Sequence, residues 1–217
     1  MTDRSPVERL LQGQTTDNDL FELRLNAMNM MFHWRKSPVR GLFGGKIELI
    51  PHQLFIAHEV SRRQLPRVLL ADEVGLGKTI EACLILNQMI VCGRVNRVFI
   101  LLPNSLVNQW FIELLRRFNL WFSIFDEERC CAIENSQPGF NPFEDDQLLI
   151  ADIDWLSKST KRMEQAVQAP WDMLIVDEAH HLEWNPEKPS AKYQLTQALG
   201  QRAGALLLLS ATPQQLG

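Results

Sequence analysis

Short apolar runs recur along most of the chain, and stretches long enough for a helix separate them. The runs fall at 67–71, 97–102, 147–151, 172–176 and 205–209, and each is apolar almost throughout rather than alternating with polar residues. Strands that are buried on both faces have this composition, and strands that alternate with helices form parallel sheets. The chain is therefore predicted to be an α/β protein in which helices sandwich a parallel sheet.

The intervening stretches predict the remaining elements. Helices are expected near 52–64, 79–91, 153–168 and 190–200, with a further strand at 121–125. Asn104 or Ser105 is predicted to cap a helix that reaches Phe118, because short polar side chains favour the N-cap. The acidic, proline-containing stretch 126–146 is predicted to be a surface insertion.

The first part of the chain has a different pattern. Residues 1–46 are predicted to be an N-terminal extension with one helix, followed by a linker over Pro38–Gly45. That helix, around Leu20–Phe32, is too apolar to be free in water and is expected to dock on a partner. Residues 47–217 are predicted to form one lobe.

Composition excludes few partners but restricts the compartment. The net charge is -4, but residues 126–146 hold seven acids against one base. The rest of the chain therefore carries about +2, so the overall negative charge does not exclude a nucleic-acid partner. No apolar run approaches the ~18 residues of a membrane span, and the polar start has no signal-peptide core. The four cysteines lack zinc spacing, so reduced thiols and a cytoplasmic location are expected.

A glycine-rich loop follows the 67–71 run and carries the pattern of a phosphate-binding loop. Its residues are Asp72, Glu73, Val74, Gly75, Leu76, Gly77, Lys78 and Thr79. Glycines bring backbone amides against phosphate oxygens, the lysine contacts the β- and γ-phosphates, and the threonine hydroxyl coordinates Mg²⁺.

Two alternatives to that interpretation are weighed. Asp72 stands where the strict pattern requires glycine, so a glycine-rich turn with a solvated lysine stays open. A dinucleotide loop is set aside, because Ile80 occupies the place of its third glycine.

A second polar loop, Asp177-Glu178-Ala179-His180, follows the 172–176 run. Carboxyl ends of parallel strands meet at one edge of a sheet, so this loop is expected to lie near the glycine-rich one. Asp177 is predicted to hold Mg²⁺, partly through water, and Glu178 to orient and deprotonate the attacking water. The alternative is a strand end that is acidic by chance.

Weaker signals accompany these loops. Ser210, Ala211 and Thr212 end the last predicted strand and form a third motif. The Ser210 and Thr212 hydroxyls are expected to contact the acidic loop, with His180 as the relay partner. This contact would couple the acidic loop to the state of the phosphate. Gln53 is a candidate for contacting the adenine edge, although an isolated glutamine is usually solvated.

These residues, in this order, resemble the amino-terminal motor lobe of superfamily-two helicases, and two segments resemble its Swi/Snf branch. The segments are the Ala71–Thr79 loop and the Pro103–Trp110 pattern Pro-x-Ser-Leu-x-x-Gln-Trp. Further segments resemble a bacterial group of that branch that associates with RNA polymerase: Ile50–Gln53, Ile56–Val60, Arg116–Leu120, Asp177–Leu182 and Ser210–Gly217.

The resemblance implies a RecA-like lobe of the P-loop NTPase class that takes ATP and Mg²⁺. It implies ATP-driven translocation, contact of Pro103–Trp110 with a DNA or RNA backbone without sequence specificity, and action on RNA polymerase during transcription recycling. Ser210-Ala211-Thr212 departs from the Gly-Thr-Pro commoner in this branch. An ATP-dependent helicase or restriction-type translocase lobe therefore stays open.

The chain stops just after the third motif, so we expect the second lobe, with its arginine fingers, to be absent from it. Such fingers contribute about 10³–10⁵ in rate in related phosphoryl-transfer systems. The chain alone is then expected to bind nucleotide weakly and to hydrolyse it negligibly. A different class of function, a docking module with a vestigial loop, also remains open.

Overall fold

The computed structural model describes residues 18–37, 41–42, 45–48, 50–71, 77–185 and 189–211. It comprises two units, Met1–Arg40 and Gly41–Gly217, which are considered separately. In the first unit, helix α1 (Asn18–Lys36) occupies the region where one apolar helix was predicted. The predicted linker lies largely outside the described residues, and the predicted domain boundary after residue 46 remains a prediction.

The second unit alternates strands and helices. In chain order its elements are α2 (Pro51–Arg62), β1 (Arg67–Leu70), α3 (Lys78–Val91), β2 (Val98–Leu102), α4 (Asn104–Phe118), β3 (Ser123–Phe125), α5 (Glu127–Ser136), β4 (Leu148–Asp152), α6 (Ile153–Leu156), α7 (Thr160–Gln168), β5 (Met173–Val176), α8 (Ala191–Arg202) and β6 (Ala205–Leu209). Short 3-10 turns lie at Pro142–Glu144 and Ala179–His181.

The strands form one sheet in the order β1-β6-β5-β2-β4-β3, and every pairing is parallel. The prediction of a parallel α/β sheet is therefore confirmed. Because the strands all run the same way, the loops that follow β1, β6, β5 and β2 leave from one edge. Strand β6 lies between β1 and β5, so the two polar loops flank the end of β6.

Helices cover both faces of the sheet. Successive strand residues point to opposite sides, so Ile100 joins the core under α2, α3 and α4, and Phe99 joins the core under α5 to α8. Two buried tryptophans divide in the same way, with Trp110 on the first side and Trp171 on the second. Each fully buried large apolar side chain stabilises this arrangement by roughly 1.5–3 kcal/mol.

The acidic stretch is not the surface insertion that was predicted. Asp126 caps α5 by accepting a hydrogen bond from the backbone N–H of Arg129 at 2.9 Å. Cys130 on this helix and Phe143 in the turn after it are fully buried against the sheet. The charges occupy the outer side, and the few apolar residues between them pack inward.

Two helix boundaries also differ from prediction. Helix α4 begins at Asn104 with Pro103 in the N-cap position, so neither Asn104 nor Ser105 acts as the cap. The helix predicted over 153–168 is interrupted between α6 and α7, where Ser159 accepts a hydrogen bond from the backbone of Arg162 and starts a new helix.

Candidate nucleotide site

The amino terminus of α3 forms one side of the site. Gly77 precedes the helix with φ 86° and ψ 34°, a left-handed conformation that favours glycine. A Cβ atom at Gly77 would also overlap the side-chain nitrogen of Gln53. Lys78 and Thr79 then open a 14-residue helix whose first backbone N–H groups lack helical partners and attract anions. The predicted loop residues from Asp72 to Leu76 lie outside the described residues.

Gln53 lies beside this loop rather than in solvent. It projects from α2, only 3% of it is exposed, and its amide sits where a side chain at Gly77 would have to go. The alternative of a solvated glutamine is therefore wrong. Its predicted contact with adenine remains a prediction.

The carboxyl end of β5 forms the other side. The backbone N–H of Asp177 donates to the carbonyl of Leu101 at 3.1 Å and extends the pairing with β2. Both oxygens of its carboxylate accept hydrogen bonds: Oδ2 from Trp110 Nε1 at 2.9 Å, and Oδ1 from the Glu178 N–H at 2.8 Å. Burial raises the pKa of Asp177, and the Trp110 hydrogen bond opposes that rise.

Glu178 adopts an unusual backbone conformation. Its φ of 51° and ψ of 44° are left-handed, which for a residue with a side chain costs about 1–3 kcal/mol and tends to occur at functional sites. The turn leads directly into Ala179–His181. His180 Nδ1 lies 3.1 Å from Glu178 Oε2, a distance at which a protonated imidazole would form an ion pair with that carboxylate.

One cavity of about 340 Å³ joins the two sides. Its lining includes Lys78 and Thr79 from α3 and Asp177 and Glu178 from the acidic loop. Lys78 is close enough for its positive charge to lower the pKa of Asp177, against the effect of burial. The structure thus brings the described end of the glycine-rich loop and the acidic loop to the same space.

The third predicted motif lies at the same edge. The backbone N–H of Ser210 donates to the carbonyl of Leu70 at 3.0 Å, so the end of β6 is tied to the strand that leads into the phosphate loop. Ala211 lines the cavity. Thr212 lies outside the described residues, and the predicted hydroxyl coupling remains a prediction.

Helix α4 supplies cavity residues that the motif analysis did not assign to the nucleotide site, although three of them lie in the Pro103–Trp110 pattern. These are Leu106, Gln109, Trp110, Glu113 and Arg117, which recur every three or four positions on one helix face. The last two form an ion pair at 2.5 Å. The spacing of three or four positions is the sequence signal that could have placed these residues on one face of a helix.

Trp110 does not fit the expectation that it contacts nucleic acid. Only 1% of the residue is exposed, and its indole points inward to Asp177. The helical period turns this side chain to the core, and contact of the rest of the Pro103–Trp110 segment with a nucleic-acid backbone remains a prediction.

The fold and the placement of these loops define a class. A parallel sheet covered by helices on both faces, with a glycine-preceded helix start and an acidic strand end at one edge, is a RecA-like α/β lobe. The SWI2/SNF2 ATPase core of Sulfolobus solfataricus in complex with dsDNA has the same fold, with a TM-score of 0.63 and 21% identity over 79% of this chain and 33% of that one. A second structure, of the Sulfolobus solfataricus SWI2/SNF2 ATPase core domain, gives a TM-score of 0.62 and 20% identity over 83% of this chain and 34% of that one.

The sequence profile of the SNF2-related domain matches residues 27–216, and the chain belongs to that family. It is similar to the RNA polymerase-associated protein RapA of Vibrio cholerae serotype O1, with 55% identity, and to that of Photobacterium profundum, with 54%. Both matches cover 98% of this chain and 22% of the relative. The chain thus spans about a fifth of the length of these relatives.

Proposed function

We propose that the chain is the ATP-binding lobe of a nucleic-acid-dependent ATPase that acts on RNA polymerase. The observation that carries the proposal is the single cavity between Lys78 and Thr79 on one side and Asp177 and Glu178 on the other. A triphosphate needs cations and backbone N–H groups, and its metal needs hard oxygen ligands, and the two sides offer these separately.

The residues present fit Mg²⁺. Thr79 and Asp177 offer a hydroxyl and a carboxylate, and Mg²⁺ takes one or two such protein oxygens while keeping several waters and binding substrate phosphates. When bound, the ion would neutralise charge on the β- and γ-phosphates. Glycine at position 77 lets the Gln53 amide pack against the start of the helix, because a Cβ atom there would overlap that amide.

The protein groups then have distinct tasks. The Lys78 ammonium binds phosphate oxygens and stabilises the charge that shifts toward the β–γ bridging oxygen. The Glu178 carboxylate accepts a hydrogen bond from the attacking water, orients it and takes its proton. His180, whose Nδ1 lies 3.1 Å from that carboxylate, is its neighbour in the acidic loop. Gln53, packed beside Gly77, is proposed to contact the adenine edge.

Helix α4 supports contact with a nucleic-acid backbone. Asn104, Ser105 and Asn108 are exposed on its first turns, and Arg116 is exposed near its end. Amide and hydroxyl groups with arginine bind phosphate without reading sequence. Affinity should therefore fall steeply with salt, since phosphate neutralisation releases counterions. The partner RNA polymerase is proposed from the relatives, which are RNA polymerase-associated proteins.

Within the part of the chain that the structure describes, no helix is long and apolar enough to cross a bilayer.

Replacement of Lys78 by alanine tests the proposal. We expect Lys78→Ala to reduce Mg·ATP affinity roughly tenfold or more, because the phosphate loses its cation. Lys158→Ala is the matched control, since that exposed lysine lies in the turn between α6 and α7. Equal Mg·ATP affinity in Lys78→Ala and Lys158→Ala would contradict an ATP site and favour a docking module.

A further inference from the structure

Trp110 and Trp171 show two ways of burying a tryptophan in one protein. Trp171, 4% exposed, donates its indole N–H to the carbonyl of Ala166 at 2.8 Å. Trp110, 1% exposed, donates to a carboxylate, that of Asp177. A buried indole needs an acceptor, and a neutral carbonyl provides one without burying a charge.

The Asp177 carboxylate is unfavourable as a purely structural acceptor. It lies largely buried at the end of β5, where desolvation disfavours its ionised form. A fold that required only a partner for the indole would gain nothing from it. The acceptor also faces the cavity shared with Lys78.

The hydrogen bonds of Asp177 leave it oriented but not saturated. An ionised carboxylate can accept about four hydrogen bonds, and the indole and the Glu178 N–H each occupy one position, on different oxygens. The two donors fix the plane of the carboxylate. The remaining lone pairs stay open toward the cavity, as in metal ligands that neighbouring donors orient.

We propose that Trp110 is a positioning residue that presets the Asp177 carboxylate for Mg²⁺ carried by the bound nucleotide. This inference rests on the proposed ATP site and deepens it. Trp110 borders the cavity but is almost fully buried, and its indole N–H is already donated to Asp177, so this N–H acts through that carboxylate. Loss of that N–H therefore weakens the metal-dependent part of nucleotide binding and leaves the metal-independent part unchanged.

The test compares Trp110→Phe with Trp171→Phe. Each variant keeps a buried aromatic ring and removes one indole N–H, and only the first donor faces Asp177. Affinity for fluorescent ATP is measured with Mg²⁺ and with a chelator. We expect Trp110→Phe to weaken binding roughly tenfold or more in Mg²⁺ and less than twofold in chelator, and Trp171→Phe to change neither by more than twofold.

A second readout examines the protein without ligand. The chain has six tryptophans, and the indole ¹⁵N–¹H signal that disappears in Trp110→Phe belongs to Trp110. In the wild-type protein we expect this signal to be shifted downfield and to exchange slowly with water, and to move upfield in Asp177→Asn, where the acceptor is neutral.

The outcomes separate the two proposals. If the wild type binds Mg·ATP and Trp110→Phe binds it equally well, the positioning role is wrong and the ATP site stands. If the wild type shows no metal-dependent binding at all, the ATP site itself is wrong, and the role of Trp110 is overturned with it. Equal losses in both tryptophan variants would show a structural effect and would also overturn the positioning role.

Discussion

Replacement of Arg162 by methionine should destabilise the protein through a nearly buried charge. Arg162 is 2% exposed, and its guanidinium lies 2.6 Å from Glu127 Oε1, 2.7 Å from Glu134 Oε1 and 2.9 Å from Gln165 Oε1. These contacts join α5 to α7. Breaking a buried ion pair costs about 3–5 kcal/mol. The Glu127 and Glu134 side chains are 54% and 22% exposed, so water can hydrate them after the change. Since methionine also keeps much of the packing, we expect a loss of about 2 kcal/mol.

The loss should depend on pH. The hydrogen bond from Arg162 is the main cause that lowers the pKa of Glu134, from 4.5 to about 2. A lowered carboxyl pKa contributes stability that is complete above the unfolded-state pKa and disappears as pH falls through the folded-state pKa. The difference in unfolding free energy between wild type and Arg162→Met should therefore be full at pH 7 and shrink between about pH 5 and 2.

Urea unfolding at several pH values measures this difference. Lys161→Met is the control, because Lys161 is 63% exposed and contacts the same Glu134 carboxylate at 2.8 Å. An exposed pair of this kind contributes about 0–1 kcal/mol. The reasoning is refuted if Arg162→Met costs no more than Lys161→Met, or if its cost is the same at pH 3 as at pH 7.

Other changes probe the site and the thiols. Gly77→Ala should abolish nucleotide binding, and chemical denaturation should show that it costs more stability than Gly93→Ala. Both glycines have positive φ, but of the two only Gly77 has neighbouring atoms that an added Cβ would meet. Equal losses of stability in the two variants would contradict this reasoning. Asp177→Asn should raise the unfolding midpoint at pH 7. The pKa of Asp177 is raised in the folded state, so this carboxyl contributes stability that is full below its ordinary pKa of 3.8 and is lost as pH rises through its folded-state pKa. The gain from the substitution should therefore vanish at low pH. Cys92 and Cys131 are exposed and should react with a thiol reagent in the native protein, while the buried Cys83 and Cys130 should react only after unfolding. Rapid reaction of all four thiols in the native protein would contradict this, because it would show that the core opens.

The sequence was sufficient for the sheet and for the approximate position of the site. Strand 205–209 matches its prediction, and the other buried strands agree within a residue or two, because continuous apolar runs and helix-length spacers leave little choice. Glycine before lysine, and acids after an apolar run, likewise indicated which strand ends carry polar loops. Parallel pairing then brought Lys78 and Asp177 to one cavity.

The remaining features depend on contacts between residues far apart in the chain. Trp110 lies 67 positions from its acceptor Asp177, and no local pattern shows which partner an indole will find. The same holds for Arg162, whose neutralisation by Glu127 and Glu134 lets an acidic stretch pack on the sheet. The left-handed conformation of Glu178 is imposed by the surrounding turn, because the residue type itself disfavours it.

The most direct test of the ATP site is a crystal structure of the protein with a non-hydrolysable ATP analogue and Mn²⁺ in place of Mg²⁺. The account predicts a manganese anomalous peak between the Thr79 hydroxyl and the Asp177 carboxylate, with the terminal phosphates contacting Lys78. A nucleotide bound elsewhere, or a metal ion remote from both Thr79 and Asp177, would contradict it.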